Sequence, residues 1–134
     1  MAKILVLDDE EDACDLIKRI LSSHHDVMTF TEGQAAIDFA RDNPVDLAIL
    51  DIKLKKMSGV DVLDRLKKGN TDLKAIMLTG FPTVETAKQS LTLGAQEYLV
   101  KPIDIDELES KVKKVLTTQR KRAKTAIHLE DQST

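Results

Sequence analysis

Five side chains with acid, hydroxyl or ammonium groups stand at the ends of short apolar runs in the sequence. They are Asp8, Asp9, Asp51, Thr79 and Lys101. If the runs are neighbouring parallel strands, these groups converge, because ligand sites in open parallel sheets lie at the carboxyl ends of the strands. Asp is also a common turn and N-cap residue, so any one position alone is more simply explained by local structure. Five such side chains at one edge of one sheet are better explained by a functional site.

Three of these groups are carboxylates, and three carboxylates close together repel one another. Each close pair costs on the order of a few kcal/mol at an effective dielectric constant near 20. A hard divalent cation relieves that repulsion, and carboxylate oxygens with water suit octahedral Mg²⁺. No His or Cys stands among the strand ends, which disfavours zinc and copper. The sequence therefore predicts a magnesium site.

Lys101 and Thr79 add groups that a metal site alone does not need. An ammonium and a hydroxyl beside metal-bound carboxylates are suited to the oxygens of a phosphoryl group. Asp51 is the best candidate nucleophile, because an aspartate can form an acyl phosphate. Asp8 and Asp9 are then the candidate metal ligands.

The elements that must position these groups alternate regularly along the chain. The apolar runs cover residues 4–7, 27–30, 47–50, 75–79 and 98–100. Helical apolar stripes follow them at Ala13–Leu21, Ala36–Ala40, Val60–Leu66, Val84–Leu91 and Ile105–Leu116. This order predicts an α/β fold with one doubly wound, five-stranded parallel sheet and helices on both faces.

Three helix starts carry capping signals. Ser58 is a candidate N-cap, Pro82-Thr83 starts the fourth helix, and Asp104 with Glu107 forms a candidate capping box.

Composition excludes several classes of function. The 134 residues carry a net charge of −3 and contain 3% aromatic residues, no Trp and a single Cys. The charge and the few aromatics argue against nucleic-acid binding. The lone Cys14 excludes an internal disulfide framework. No apolar run approaches the roughly 20 residues of a membrane span, and no signal-peptide pattern is present. A cytoplasmic location without membrane contact is expected.

The folded unit is expected to end near residue 117, where the apolar stripe of the fifth helix stops. Residues 118–134 are polar and are interpreted as a tail, or as a linker to a domain outside this sequence. The domain prediction is therefore 1–117 for the folded domain and 118–134 for the tail.

Taken in order and spacing, several short motifs over residues 2–117 resemble the receiver domain of two-component response regulators, a (βα)5 domain of flavodoxin-like fold. The motifs are Leu5–Glu10, Asp46–Asp51, Met57–Gly59, Met77–Gly80 and Gly94–Pro102. The resemblance implies a regulatory domain rather than an enzyme, one that assists only its own phosphorylation and dephosphorylation.

The resemblance also implies an acceptor and a metal site. Asp51 would accept a phosphoryl group from a sensor histidine kinase or a His-phosphotransfer protein. Asp9, Asp51 and the backbone carbonyl of Lys53 would bind Mg²⁺, and Asp8 would reach the ion through water.

Further residues are implied in phosphoryl binding and switching. Thr79 and Lys101 would bind the phosphoryl oxygens, and Tyr98 would be the rotameric partner of Thr79. The Lys101–Pro102 peptide bond would be cis. Phe81 and Lys53 would flank the acyl phosphate, which predicts a phosphoryl lifetime longer than in the fast chemotaxis-type receivers.

The expected output is a change of partner or dimer preference. The surface of the fourth helix, fifth strand and fifth helix would respond, either as a homodimer interface or toward an effector protein or output domain not in this chain.

Three other interpretations stay open. The chain could be a phosphorylation-independent pseudo-receiver that only binds partners. It could be a phosphatase of the haloacid dehalogenase type, although these carry Asp-x-Asp where this chain has Asp8-Asp9-Glu10. The basic cluster at 120–124 could contact DNA.

Overall fold

The computed structural model describes residues 1–117, and the expected tail at 118–134 lies outside the described residues. The strands are β1 (Lys3–Leu7), β2 (Asp26–Phe30), β3 (Leu47–Asp51), β4 (Lys74–Thr79) and β5 (Glu97–Val100). The helices are α1 (Glu11–Leu21), α2 (Gly33–Asp42), α3 (Gly59–Gly69) and α4 (Val84–Thr92), followed by α5, which starts at residue 105 and continues to 117. The alternation of strands and helices is confirmed.

All strand pairs are parallel, and the strand order is β2-β1-β3-β4-β5. The predicted doubly wound (βα)5 fold is confirmed. The order reverses between β1 and β3, and this is the point at which ligands bind in such sheets. Within the described 117 residues, no helix is both long and apolar enough to cross a bilayer.

Two apolar cores cover the two faces of the sheet. In β1, Ile4 and Val6 pack with α1 and α5, whereas Leu5 and Leu7 pack with α2 and α3. Every residue of β3 is buried. Burial on both faces explains why these strands are continuous apolar runs rather than alternating ones.

The helix starts follow the capping signals with one difference. Ser58 accepts a hydrogen bond from Val60 N–H at 3.1 Å, and Asp104 accepts one from Glu107 N–H at 3.0 Å. The capping box expected at Asp104 is only half formed, because the Glu107 carboxylate lies 3.1 Å from Lys111 Nζ instead. A complete box forms at Thr83, a residue expected only to start its helix.

Candidate functional site

Two of the carboxylates meet one ammonium group at the carboxyl ends of β1 and β3. Lys101 Nζ lies 2.7 Å from Asp8 Oδ2 and 3.0 Å from Asp51 Oδ2. Asp8 and Asp51 are buried, whereas the Lys101 side chain is 20% exposed. The ammonium therefore neutralises two buried anions that would otherwise repel each other.

Backbone groups hold the second oxygen of each buried carboxylate. Asp8 Oδ1 accepts from Glu10 N–H at 2.9 Å, and Asp51 Oδ1 accepts from Lys53 N–H at 3.0 Å. In both residues the side chain bonds to the amide two positions later, as in an Asx turn. Each carboxylate is thus fixed by its own loop on one side and faces Lys101 on the other.

A buried thiol supports the end of β1. Cys14 Sγ donates to Asp8 O at 3.3 Å and to Phe30 O at 3.5 Å. Burial, with the nearby charge of Asp8, raises the pKa of Cys14 to about 11. The thiol therefore stays protonated at neutral pH and remains a hydrogen-bond donor.

Burial dominates the electrostatics of Asp51. It raises the pKa of the Asp51 carboxyl, and the charge of Asp8 adds to this, while the hydrogen bond from Lys101 opposes it. Burial lowers the pKa of Lys101, but contacts with Asp8 and Asp51 outweigh this and leave it raised. Lys101 is therefore firmly cationic.

The acidic loop after β1 fits a hard divalent cation. One carboxylate oxygen from each of Asp8, Asp9 and Glu10 lies within 4.8 Å of the others. Among the described residues, Asp8 Oδ2 is the one buried side-chain oxygen without a well-oriented hydrogen bond. An all-carboxylate donor set of this kind suits Mg²⁺. Glu10 was not among the predicted metal ligands.

These acids border an open cleft of about 310 Å³ at the sheet edge. Its walls are Asp9, Glu10, Asp51, Lys53, Leu54, Lys55, Gly80, Phe81 and Lys101. Phe81 is 68% exposed, and Lys53 Nζ lies 4.3 Å from the centre of its ring. This cation–π contact places both residues at the rim of the cleft beside Asp51.

Thr79 is close to the cleft but does not contact the acids. It is buried at the end of β4, and its Oγ1 accepts from Phe81 N–H at 3.0 Å. Within residues 1–117 no hydrogen bond joins the Thr79 hydroxyl to Asp51 or to the Lys101 ammonium.

Tyr98 is half-buried on β5, and within the described residues its hydroxyl makes no hydrogen bond to Thr79. Its hydroxyl lies 3.2 Å from Thr86 Oγ1 on α4. The pairing of Tyr98 with Thr79 is therefore not present in this structure, and it stays a prediction.

The loops near Asp51 and Lys101 are held by close backbone contacts. Lys101 N–H donates to Thr79 O at 2.7 Å, and the Lys101–Pro102 bond is cis. Gly59 N–H donates to Ile52 O at 2.7 Å. A Cβ at Gly59 would lie 2.0 Å from the carbonyl oxygen of Asp51, so only glycine fits there.

Sequence reasoning missed four contributors to this site. They are Glu10, Cys14, Gly59 and Thr86. Glu10 and Gly59 stand inside the motifs Leu5–Glu10 and Met57–Gly59, so motif membership was a signal for them. Nothing in the local sequence pairs Cys14 with the Asp8 carbonyl or Thr86 with the hydroxyl of Tyr98.

Magnesium is expected to stabilise the fold through the acidic loop. A ligand at 100 times its Kd raises the free energy of unfolding by about 2.7 kcal/mol. Urea unfolding of the wild type with and without Mg²⁺ should show a rise of this kind, and Asp9→Asn should lose most of it. Asp64→Asn, on the outer surface of α3, is the matched control. Equal Mg²⁺ stabilisation of Asp9→Asn and wild type would contradict the site.

Comparison with known proteins agrees with this architecture. Residues 4–113 match the model of the response regulator receiver domain. The chain is 32% identical to the transcriptional regulatory protein ZraR of Escherichia coli strain K12, over 84% of this chain and 26% of ZraR. It is 30% identical to sporulation initiation phosphotransferase F of Bacillus subtilis, over 85% of this chain and 93% of that protein.

The fold also matches a solved structure closely. A CheY-like response regulator receiver domain protein from Methanospirillum hungatei superposes with a TM-score of 0.88 and 31% identity. The match covers 91% of this chain and 98% of that one. The chain spans about a quarter of the length of ZraR, and the similarity is limited to that part.

Proposed function

This chain belongs to the response regulator receiver domain family, and on that premise we propose that it is a phosphorylation-activated signalling switch whose phosphoacceptor is Asp51. One oxygen of Asp51 is held by Lys53 N–H, and the other faces the ammonium of Lys101 beside an open acidic cleft. That arrangement supports the proposal most directly. The domain is regulatory and is not expected to turn over substrates as an enzyme does.

The proposed reaction transfers a phosphoryl group from a phosphohistidine to Asp51. A carboxylate oxygen of Asp51 attacks phosphorus, the P–N bond breaks, and the imidazole leaves with the electron pair and takes up a proton. The product is an acyl phosphate on Asp51. Lys101, 3.0 Å from Asp51 Oδ2, is placed to pair with a phosphoryl oxygen. Mg²⁺ bound at the acidic loop would neutralise charge on the phosphoryl oxygens.

Asp51 and Lys101 act from fixed positions, but Thr79 has to be recruited. Its Oγ1 is held by Phe81 N–H in this structure. We propose that the phosphoryl oxygens draw the Thr79 hydroxyl toward Asp51 and that Tyr98 moves into the space this opens. Phosphorylation then shifts a population between two existing states.

The proposed partners follow from the family and from one exposed face. A sensor histidine kinase or a His-phosphotransfer protein would supply the phosphoryl group, and an effector or output domain would respond. Four exposed apolar side chains belong to α4, β5 and α5, which favours these elements as a docking or homodimer surface. They are Val84, Leu91, Val100 and Ile105.

Intact mass spectrometry tests the phosphoacceptor. After incubation with acetyl phosphate, we expect one phosphoryl group on the wild type, dependent on Mg²⁺ and absent from Asp51→Ala. If no adduct forms, a beryllofluoride titration replaces the acyl donor with a stable phosphoryl mimic. Failure of both would favour the phosphorylation-independent pseudo-receiver.

The switch has its own test. Thr79→Ala and Tyr98→Phe should each weaken the effect of phosphorylation on dimer formation or partner binding. Light scattering measures dimer formation, and titration against the partner measures binding. If both variants respond to phosphorylation as the wild type does, Thr79 and Tyr98 do not form the switch.

Phe81 is expected to slow loss of the phosphoryl group. Its ring stands at the rim of the cleft under the Lys53 ammonium, where it would obstruct the approach of water to an acyl phosphate on Asp51. Phe81→Ala should shorten the lifetime of the phosphorylated chain, followed by intact mass after the donor is removed. Met28→Ala, an exposed apolar residue on β2, is the control. An unchanged or slower decay in Phe81→Ala would rule out obstruction by the ring.

A further inference from the structure

One hydroxyl group connects Tyr98 with the start of α4. Thr86 Oγ1 lies 3.2 Å from the Tyr98 hydroxyl and 2.8 Å from Thr83 Oγ1. Thr83 is the N-cap of α4, and its Oγ1 accepts from Thr86 N–H at 3.0 Å. Thr86 therefore bridges strand β5 and the capping box of helix α4.

We propose that Thr86 is a positioning residue that holds Tyr98 against α4 in the resting chain and links any movement of Tyr98 to the capping of that helix. This inference rests on the proposed function only in giving Tyr98 a switching role. The contact itself belongs to the resting structure.

The donor and acceptor count at Thr86 supports the link. A threonine hydroxyl has one proton to donate and two lone pairs to accept with. Thr86 donates to the carbonyl of Thr83 at 3.1 Å, so its lone pairs are left for donors. The Thr83 hydroxyl at 2.8 Å, the Tyr98 hydroxyl at 3.2 Å and Thr83 N–H at 3.4 Å all approach these two lone pairs, so they compete for them. Moving Tyr98 away removes one donor and changes what the cap residue can bind.

The sheet register places Tyr98 near two threonines, Thr79 on β4 and Thr86 on α4. Tyr98 pairs with Met77, so Thr79 lies two residues further along β4 on the same face of the sheet. Thr79 is bonded to Phe81 N–H, and Tyr98 is bonded to Thr86. The two hydroxyl groups thus have separate hydrogen-bond partners, and the bond to Thr86 is the one that Tyr98 has to break to move toward Thr79.

The chain offers a selective probe of this bond. Tyr98 is the single Tyr of the 134 residues and there is no Trp, so intrinsic tyrosine fluorescence reports on this side chain alone. A neutral hydrogen bond contributes enough to change a two-state ratio by about 2- to 10-fold. In the unphosphorylated protein, Thr86→Val should release Tyr98 and raise its collisional quenching by acrylamide.

Three variants separate this role from general effects on the helix. Thr86→Ser keeps the hydroxyl and should quench as the wild type does. Thr92→Val removes another α4 hydroxyl, which donates only to Lys88 O, and should also match the wild type. Thr83→Val weakens the N-cap but leaves the Thr86 hydroxyl in place. If Thr86→Val does not fold, Thr86→Ala takes its place.

The outcomes distinguish this inference from the proposed function. Increased quenching in Thr86→Val, with Thr86→Ser and Thr92→Val unchanged, supports the positioning role, and a smaller increase in Thr83→Val supports its link to the cap. Unchanged quenching in Thr86→Val, or an equal increase in Thr92→Val, overturns it. Beryllofluoride with Mg²⁺ is then added to the wild type. If Tyr98 does not respond while the Thr86→Val increase is present, the proposed switch fails and the role of Thr86 in the resting chain stands.

Discussion

Lys101→Met is expected to lower the free energy of unfolding by about 3 kcal/mol, near the lower end of the cost of breaking a buried ion pair, because Lys101 is 20% exposed. The variant leaves Asp8 and Asp51 as two buried carboxylates without their shared counter-ion. It should also accept little phosphoryl group, because no ammonium remains beside Asp51.

Urea unfolding with and without Mg²⁺ measures the first effect, and Mg²⁺ should restore part of the lost stability by neutralising the same carboxylates. Lys68→Met is the matched control. The Lys68–Asp64 pair has side chains 75% and 41% exposed, so its loss should cost less than about 1 kcal/mol. Equal losses in the two variants would mean that Lys101 does not neutralise the buried acids.

Gly59→Ala should lower the free energy of unfolding at least as much as Lys101→Met does. The added Cβ would lie 2.0 Å from the Asp51 carbonyl oxygen and 2.8 Å from Ile52 Cα. Both obstructing atoms are backbone, so the chain itself must shift. Overpacking of this kind costs about 3 kcal/mol or more at its upper end. Because the shift occurs at Asp51, phosphoryl acceptance should fall as well.

Gly69 provides the control on the same helix. A Cβ there meets no atom within 4 Å, so Gly69→Ala should raise the free energy of unfolding by about 0.5–1 kcal/mol. Thermal and urea unfolding of both variants make the comparison. If Gly59→Ala unfolds like the wild type, the close approach of α3 to the Asp51 carbonyl is not required by the fold.

The strands were predictable because their physical signal is local. Residues 47–50 are apolar without interruption since β3 is buried on both faces, and this pattern, in a chain that alternates with helical stripes, favours a covered parallel strand. Convergence of Asp8, Asp51 and Lys101 then followed from parallel topology, which brings the carboxyl ends of strands to one edge.

The remaining features depend on distances that no local pattern encodes. The hydrogen bond between Thr86 and Tyr98 forms only if α4 is rotated about its own axis so that Thr86 faces β5. The Glu107 carboxylate was expected to cap α5, but it pairs with Lys111 one turn later, because an i,i+4 ion pair competes for the same side chain. Thr79 ends β4 as expected, yet its hydroxyl accepts from Phe81 N–H and does not contact the acids.

Locating the phosphoryl group tests the central claim most directly. The wild type is incubated with acetyl phosphate and Mg²⁺, reduced with borohydride, digested and sequenced by mass spectrometry. Reduction of an aspartyl phosphate leaves homoserine at the modified position. We expect homoserine at position 51 and at no other aspartate. Homoserine at Asp8 or Asp9 instead, or a phosphoryl group that forms equally in Asp51→Ala, would contradict the assignment of Asp51 as the phosphoacceptor.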